Sequence, residues 1–312
     1  MALSVPKAMS GTIAERPGGF ETLKWRTDLA VPELDYGEIL IKNEYIGVNY
    51  IDIYFRSGIY STGSPFPILL GREGAGVVAA VHPSVRGFAV GDRGISTEQA
   101  AASLLQGLTA WTFIREVARI TREVPAGQGP WVLVHAAAGG TGLLLVQLLA
   151  ALGAKVIGTA STPAKTKLAS DNGAQWVINS STEDVVAKVK EITEGHGADV
   201  IFDGVGAATL KADFELIANN GSLISFGNAS GPPDLQNLPR TTKRVKISRP
   251  TLMTYIGTKA ARVKYVQEMF DFIKDGKLKI AIHDVYPLKE AGRAHADLES
   301  RKTTGKLLLK VD

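Results

Sequence analysis

The sequence predicts a two-domain α/β protein in which a doubly wound parallel sheet follows a β-rich region. The chain has 312 residues, 45% of them hydrophobic, which is enough for two domain cores. From Trp131 onward, apolar strands alternate with helical stretches, the pattern of βαβ units. The residues before about position 100 are instead rich in Gly, Pro and β-branched residues, with short apolar segments between turns.

The elements of the alternating region follow one another without long linkers or internal repeats. They are WVLVHA and TGLLLVQLLAAL, KVIGTA and PAKTKLASDN, WVIN and TEDVVAKVKEIT, ADVIFDGVG and ATLKADFELIAN, then GSLISFGN and VKISRP. The remaining elements are the helix KAARVKYVQEMFDFIKDG, the segment HDVYPL, the helix KEAGRAHADLES and the strand KLLLKV. We therefore divide the chain into 1–106, the N-terminal part of a β-rich domain, 107–250, the parallel-sheet domain, and 251–312, a segment that returns to the first domain.

The composition excludes several classes of protein. The absence of cysteine excludes disulfides, thiolate nucleophiles and cysteine-ligated zinc. The net charge of +4 is a mild excess. The most basic segment, Arg240 to Arg249, could contact phosphates, but its composition favours a solvated loop. No apolar run reaches the roughly 18 to 20 residues of a membrane span, and no secretory signal pattern opens the chain. We expect a cytoplasmic protein.

The segment HAAAGGTG, residues 135–142, lies where the first strand of the alternating region gives way to a helix. Ala137, Gly139 and Gly142 occupy the three small-residue positions of a G-x-G-x-x-G turn, which cradles a dinucleotide pyrophosphate at a helix N-terminus. A purely structural tight turn would use the same residues, but the βαβ context favours a cofactor. The predicted cofactor contacts in this turn are Ala138, Gly139, Gly140, Thr141 and Gly142.

The end of the second strand indicates which dinucleotide binds. NAD-binding sheets usually carry Asp or Glu there to bind the ribose 2′-hydroxyl. In this chain the segment GTASTPAK offers Thr159, Ser161 and Thr162, then Lys165, and no carboxylate. Because hydroxyl and ammonium groups bind a 2′-phosphate by charge-assisted hydrogen bonds, we predict NADPH, with contacts from Ser161 and Lys165. The alternative is that Lys165 is a solvated lysine in the first turn of a helix.

Polar and aromatic side chains are concentrated in GVNYIDIYFRSGIY. They are Asn49, Tyr50, Asp52, Tyr54, Arg56 and Tyr60. Asn and Asp can fix a carboxamide, and tyrosines can bound a planar ring, which suits a nicotinamide pocket. A structural turn whose tyrosines cover the edge of the core explains the same composition.

Six segments, in this order and spacing, resemble the zinc-free quinone oxidoreductases of the zeta-crystallin type, a branch of the medium-chain dehydrogenase/reductase superfamily. They are VNYIDIYFRSGIY, GREGAG, HAAAGGTG, VIFDGVG, SFGNASG and ESRKTTGKLLL. The resemblance covers nearly the whole chain. It implies a GroES-like catalytic domain built from both chain ends, a Rossmann domain between them, and NADPH as the cofactor.

The resemblance also implies roles for individual residues. The nicotinamide is expected near Asn49, Asp52 and Tyr54, with Tyr60 towards the quinone. Further cofactor contacts are implied at Thr109, Lys165, Phe226, Gly227, Asn228 and Arg301, and Ser180 occupies the place of a cofactor-contacting tyrosine in some members. Zinc-dependent relatives carry Gly-His-Glu where this chain has Gly71-Arg72-Glu73, so we expect no metal.

One segment departs from the family pattern. In the family, the Gly-Asp-Arg turn opens further β-structure, whereas in this chain Arg93 and Gly94 lead at once into ISTEQ, whose Ser96 and Gln99 match a capping box. We therefore predict that the catalytic domain is shortened after Arg93, which leaves a strand edge unpaired. Local rearrangement that preserves activity and a variant with impaired catalysis are both open.

The expected reaction is the reduction of a quinone by NADPH, in a homodimer. One alternative is reduction of 2-alkenals or enones, which zinc-free relatives perform in a similar site. Another is an NADPH-binding protein with impaired catalysis that binds RNA, as some zeta-crystallin-like proteins do.

Overall fold

The computed structural model describes residues 5–92 and 96–311. The chain divides into two compact units: unit 1 comprises Met1–Leu105 and Ile282–Asp312, and unit 2 comprises Gln106–Ala281. The first boundary lies one residue from the division at 106 that the sequence predicts. The second differs, because residues 251–281 belong to unit 2 and the return to unit 1 begins only at Ile282.

The described residues form strands and α-helices with the following bounds. The strands are β1 (Ala8–Ala14), β2 (Leu23–Ala30), β3 (Ile39–Val48), β4 (Ile68–Leu69), β5 (Gly74–Val81), β6 (Trp131–Val134), β7 (Lys155–Ala160), β8 (Trp176–Asn179), β9 (Ala198–Asp203), β10 (Ile217–Ser225), β11 (Lys246–Ser248), β12 (Ile282–Pro287) and β13 (Lys306–Lys310). The α-helices are α1 (Tyr50–Arg56), α2 (Thr97–Thr112), α3 (Gly140–Ala151), α4 (Pro163–Asp171), α5 (Val185–Ile192), α6 (Leu210–Leu216), α7 (Leu252–Ile256), α8 (Lys259–Lys274) and α9 (Ala291–Glu299).

Unit 1 is β-rich and contains two sheets, with strand orders β2-β1-β4 and β12-β13-β3-β5. The second sheet joins the two ends of the chain, because β13 pairs antiparallel with β3 and places Leu307 opposite Val48. Apolar side chains of β3, β12, β13 and α9 form its core, among them Tyr286 and Leu309, together with Leu288 in the turn between β12 and α9. The C-terminal segment is therefore part of the first domain.

Unit 2 contains a six-stranded parallel sheet in the order β11-β10-β9-β6-β7-β8. Numbered within this sheet, the order is 6-5-4-1-2-3, that of a doubly wound Rossmann sheet, so the predicted fold class is confirmed. The central strands are buried on both faces, which explains their uninterrupted apolar runs. Leu133, Ile157, Ile201 and Leu223 from neighbouring strands form the centre of this core.

Helix α3 is apolar on all sides because it is buried on all sides, as eight of its residues from Gly142 to Leu149 show. Its approach to β6 depends on Gly142. A Cβ atom at this position would lie 2.2 Å from the carbonyl oxygen of Ala136 and 2.9 Å from the Cα of Ala137. Only glycine therefore allows the helix to begin this close to the preceding turn.

The predicted shortening after Arg93 falls at residues 93–95, which lie outside the described residues. On the side before them, the Val78 N–H donates to the carbonyl of Asp92 at 3.1 Å. On the side after them, α2 begins at Thr97, directly after Ser96. Helix α2 continues across the boundary at Leu105, so it contributes residues to both units.

We expect Gly142→Ala to lower the free energy of unfolding by about 1–3 kcal/mol, because the added methyl group must displace backbone. The measurement is the thermal unfolding midpoint by circular dichroism. Gly292→Ala is the matched control, since its Cβ would have its nearest neighbour at 3.8 Å and alanine favours the helix α9. Equal midpoints for the two variants would contradict the packing argument.

Candidate functional site

In unit 2, the predicted cofactor residues other than Thr109 on α2 follow the carboxyl ends of the parallel strands. Strands β6, β7, β9 and β10 end at Val134, Ala160, Asp203 and Ser225. Open α/β sheets bind their ligands at this edge, in the crevice where the strand order reverses. In this sheet the reversal lies between β6 and β9, directly beside the glycine turn.

The glycine turn leads from β6 into the first turn of α3. Gly139 is the N-cap residue, with extended backbone (φ −77°, ψ 172°), and the helix begins at Gly140. The first N–H groups of a helix have no acceptor within it and carry a partial positive charge, which suits a phosphate. A Cβ on Gly140 would lie 2.3 Å from the side-chain oxygen of Gln106, so this glycine makes room for a neighbour within unit 2.

The end of β7 presents hydroxyl groups and a lysine. Thr162 is the N-cap residue of α4, and its hydroxyl accepts a hydrogen bond from the Lys165 backbone N–H at 3.3 Å. Lys165 is half-buried in the first turn, where burial lowers the pKa of its ammonium group. Ser180 instead donates its hydroxyl to the carbonyl of Ala160 at 3.2 Å, which ties the ends of β7 and β8 together.

The ends of β9 and β10 are held by one carboxylate and by close backbone packing. Asp203 accepts hydrogen bonds from the Val205 N–H at 2.7 Å and the Thr209 hydroxyl at 3.0 Å. A Cβ on Gly227 would lie 2.2 Å from the Gly204 carbonyl oxygen, so glycine is required there. The turn after β10 contains Phe226, Gly227 and Asn228. The ring of Phe226 meets that of Phe113 edge-on at 5.9 Å, and the Asn228 amide oxygen accepts from Arg249 at 3.0 Å.

A buried ionic cluster that the sequence did not indicate underlies the glycine turn. His135 Nε2 lies 2.7 Å from Asp213 on α6, and its Nδ1 lies 3.1 Å from the Thr159 hydroxyl. Burial lowers the pKa of His135, but the charge and hydrogen bond of Asp213 and the charge of Asp203 outweigh it, so the pKa is raised. The imidazole thus joins β6, β7 and α6 directly below the turn.

In unit 1, Asn49 lies at the centre of a buried polar cluster. It is the N-cap residue of α1, and its backbone N–H donates to the Asp52 carboxylate at 2.9 Å. Its side-chain amide donates to Glu73 at 3.0 Å and to the Gly47 carbonyl at 3.3 Å, and accepts from Lys306 at 2.6 Å. Lys306 also forms an ion pair with Glu73 at 2.5 Å, and neither side chain is more than 1% exposed.

Asp52 is a buried residue that lines a cavity. Burial raises the pKa of Asp52 to about 6, against the opposing effects of the Asn49 hydrogen bond and the Lys306 charge. Its Oδ1 has no hydrogen-bond partner within residues 5–92 and 96–311. The cavity, of about 310 Å³, lies within unit 1 and has Asp52, Glu73 and His295 among its buried lining residues. It has room for water to hydrogen-bond the Asp52 oxygen.

Three aromatic side chains of the predicted nicotinamide region pack together. Tyr54 is buried, and its ring meets that of Tyr60 edge-on at 5.2 Å and that of Tyr50 at 6.2 Å. The Tyr60 backbone N–H also donates to the Tyr54 carbonyl at 3.0 Å, so the loop after α1 folds back onto the helix. The structure therefore brings Asn49, Asp52, Tyr54 and Tyr60 together within unit 1.

Thr109 and Arg301 lie on elements of different units. Thr109 is half-buried on α2 within unit 2. Arg301 is exposed in unit 1, with positive φ of 59°, in the turn between α9 and β13.

Across the part of the chain that the structure describes, no helix is long and apolar enough to span a membrane. The same part contains no group of three or more His, Cys, Asp or Glu side chains that could hold a metal ion.

Known proteins match this chain over nearly its whole length. A zinc-binding dehydrogenase family model matches residues 140–275, and an alcohol dehydrogenase GroES-like domain model matches residues 35–110. A probable quinone oxidoreductase of Schizosaccharomyces pombe is 42% identical, with 89% of this chain and 90% of the relative covered. This chain belongs to the quinone oxidoreductase family of the medium-chain dehydrogenase/reductase superfamily.

Two further relatives connect the family to this chain's fold and length. The structure of Escherichia coli quinone oxidoreductase complexed with NADPH is 35% identical, with a TM-score of 0.86, and 96% of this chain and 99% of that chain are covered. A 2-haloacrylate reductase of Burkholderia is 31% identical, with 95% of this chain and 97% of the relative covered. That alignment spans 333 positions, 21 more than this chain has residues, so the relative contains residues without a counterpart in this chain.

Reasoning from sequence missed several buried charged residues of this family member, among them Glu73, His135, Asp213 and Lys306. Glu73 and His135 stand inside the motifs GREGAG and HAAAGGTG, but neither motif indicates their partners. The partners are 233 and 78 positions away along the chain. Only the tertiary structure brings them into contact.

A pH-dependent stability is expected from His295, which lies in unit 1 and accepts a hydrogen bond from the buried Arg56 at 3.1 Å. Burial, followed by the charge of Arg56, lowers the pKa of His295 to about 3. Below about pH 6.5 the unfolded chain binds a proton there and the folded chain does not, so stability falls as the pH falls towards 3. When the pH falls from 7 to 5, this group should lower the free energy of unfolding by about 2 kcal/mol.

The measurement is the urea unfolding free energy of the wild type and of His295→Gln at pH 7 and pH 5. The glutamine oxygen can still accept from Arg56 but does not titrate, so the variant should lose less stability on acidification than the wild type. His283→Gln, at an exposed histidine, should behave like the wild type. The same loss in all three proteins would refute the assignment.

Proposed function

We propose that this protein is an NADPH-dependent quinone oxidoreductase. The observation that carries the proposal is the carboxyl end of β7, where hydroxyl groups and Lys165 in the first turn of α4 take the place of a carboxylate. A carboxylate would repel a 2′-phosphate, whereas an ammonium group attracts it. The relationship to quinone oxidoreductases, one of them solved with NADPH, supports the same cofactor.

The residues of unit 2 would bind NADPH along the carboxyl edge of the sheet. The first turn of α3 would receive the pyrophosphate, and Ser161 and Lys165 the 2′-phosphate. Further contacts are proposed for Thr109, for Ser180, and for the turn after β10. The complete proposed set in unit 2 is Thr109, Ala138, Gly139, Gly140, Thr141, Gly142, Ser161, Lys165, Ser180, Phe226, Gly227 and Asn228, with Arg301 added from unit 1.

The residues of unit 1 would orient the reacting groups. When bound, NADPH supplies the hydride. Asn49 and Asp52 would fix the position of the nicotinamide, and the rings of Tyr54 and Tyr60 would bound the planar quinone. The rings of Tyr54 and Tyr60 meet edge-on at 5.2 Å, and an aromatic surface of this kind suits planar quinone rings as a class rather than one particular quinone.

A second candidate is the reduction of activated alkenes such as 2-alkenals. The observation that favours it is the 31% identity to a 2-haloacrylate reductase, whose name denotes an alkene conjugated to a carboxylate. The higher identity to quinone oxidoreductases supports quinone reduction as the principal activity.

We further propose that the protein is a cytoplasmic homodimer, as the family resemblance implies. RNA binding by a catalytically impaired form is the competing role, and a net charge of +4 gives it little electrostatic support. If the catalytic domain is shortened after Arg93, any loss of function should affect turnover rather than NADPH binding, because the proposed phosphate contacts all lie in unit 2.

The proposed activity is tested by following NADPH oxidation at 340 nm with a naphthoquinone and, separately, with a 2-alkenal. We expect a higher kcat/KM with the quinone. Faster oxidation with the alkenal would favour the second candidate. NADPH binding, seen as a change in its fluorescence, without oxidation by either acceptor would indicate the impaired form.

The cofactor preference is tested by Lys165→Met. We expect the KM for NADPH to rise about 10- to 100-fold, because the variant loses one charge-assisted hydrogen bond that contributes about 1.5–3 kcal/mol. The KM for NADH should not change. Lys167→Met is the control, because Lys167 lies on the same helix but is exposed and paired with Asp171 at 2.8 Å. A similar rise in KM for both cofactors, or no rise for NADPH, would show that Lys165 does not bind the 2′-phosphate.

A further inference from the structure

The buried cluster around Asn49 joins three parts of unit 1 that are far apart in sequence. Asn49 is the N-cap residue of α1, Glu73 precedes β5, and Lys306 is the first residue of β13. Asn49, Glu73 and Lys306 have relative exposures of 2%, 8% and 1%, and the exposed part of Glu73 is not in its side chain. Water therefore cannot replace their mutual hydrogen bonds.

The charges of Glu73 and Lys306 fix the orientation of the Asn49 side-chain amide. The Lys306 ammonium donates to the amide oxygen at 2.6 Å, and the amide nitrogen donates to Glu73 at 3.0 Å. A flipped amide would place its N–H groups against an ammonium group and its oxygen against a carboxylate, so both contacts would become repulsive. The second N–H faces the Gly47 carbonyl at 3.3 Å, so the amide nitrogen has both its donors engaged.

The stability of the fold does not by itself account for the Glu73–Lys306 ion pair. Buried ion pairs often stabilise a fold no better than apolar side chains of the same volume, because their desolvation cost offsets their attraction. The surrounding residues also leave space for this pair: a Cβ on Gly47 would lie 2.3 Å from the Glu73 carboxylate and 2.8 Å from Lys306 Cε. The second Glu73 oxygen accepts from the Leu105 N–H at 2.7 Å, which fixes the carboxylate to α2.

We propose that Lys306 and Glu73 are positioning residues, which hold the Asn49 amide in a single orientation for quinone reduction. The inference rests on the proposed function, in which Asn49 lies at the reacting end of NADPH. In the held orientation both amide N–H groups are engaged, and the amide oxygen faces the Lys306 ammonium and the first turn of α1. Asn49 therefore has no donor to offer, and any hydrogen bond to NADPH must be accepted by its amide oxygen, which matches the N–H groups of a carboxamide such as that of nicotinamide.

The experiment compares Lys306→Met, Lys306→Arg, Glu73→Gln and the double variant Lys306→Met/Glu73→Gln with the wild type. Methionine keeps the apolar stem and removes the charge, and arginine restores a charge. Lys310→Met is the matched control, because Lys310 lies on the same strand with an exposed side chain. For each protein, kcat and KM with a naphthoquinone, the thermal midpoint and the side-chain amide spectrum of ¹⁵N-asparagine-labelled protein are measured.

We expect Lys306→Met to lower kcat about 100-fold, because a misplacement of about 1 Å in the reacting geometry lowers the rate by that much. The effect on the quinone KM should be smaller. Lys306→Arg should recover part of kcat, and Lys310→Met should stay within twofold of the wild type. The double variant removes both buried charges, so its thermal midpoint should recover relative to Lys306→Met while its kcat stays low. A kcat that recovers together with the midpoint would show a purely structural role and overturn the proposal.

The amide spectrum separates this proposal from the proposed function. The Asn49 side-chain N–H signals, assigned by their loss in Asn49→Asp, should exchange slowly with deuterated solvent in the wild type and rapidly in Lys306→Met. Slow exchange in both would overturn the proposal even if turnover fell. A wild type that binds NADPH but reduces no quinone would refute the proposed function, and the exchange difference would still show whether Lys306 holds the amide.

Discussion

The ion pair between Glu73 and Lys306 is the contact on which the first unit depends. It lies where the N-terminal strands and the C-terminal strand β13 meet, and its two side chains share Asn49 as a common partner. In a medium without water, each charge requires its partner, because a single buried charge is far more costly than the pair. The ion pair therefore couples the docking of β13 against β3 to the conformation of Asn49, the N-cap residue of α1.

In the second unit, the carboxyl edge of the sheet is shaped by backbone rather than by a concentration of lysines. Glycines bring backbone close together at Gly142 and Gly227, and helix α3 presents its first turn, a place that suits a phosphate. Charged side chains below this edge, His135 and Asp213, are paired with each other and buried. The edge can thus attract a phosphate without carrying a strong net positive charge.

Much of the fold follows from patterns that are local in sequence. The alternation of apolar runs and helical stretches predicts the parallel sheet, since each βαβ unit is contiguous in the chain. The missing carboxylate beyond β7 likewise concerns a single short segment. In contrast, Lys306 opens a strand that continues with three leucines, and nothing in KLLLKV shows that its first residue is buried against a carboxylate 233 positions away. The placement of α7 and α8 in unit 2 also depends on tertiary packing rather than on their own periodicity.

The division of the chain has a consequence for the order of synthesis. Residues 106–281, which form unit 2, are contiguous, so this unit can complete its core as soon as it has left the ribosome. The N-terminal part of unit 1 is made earlier, but until β13 has followed, β3 has only β5 beside it and Glu73 lacks its ammonium partner. During that interval a nascent chain exposes an open strand edge and an uncompensated carboxylate, and the burial of Lys306 marks the moment at which both are covered.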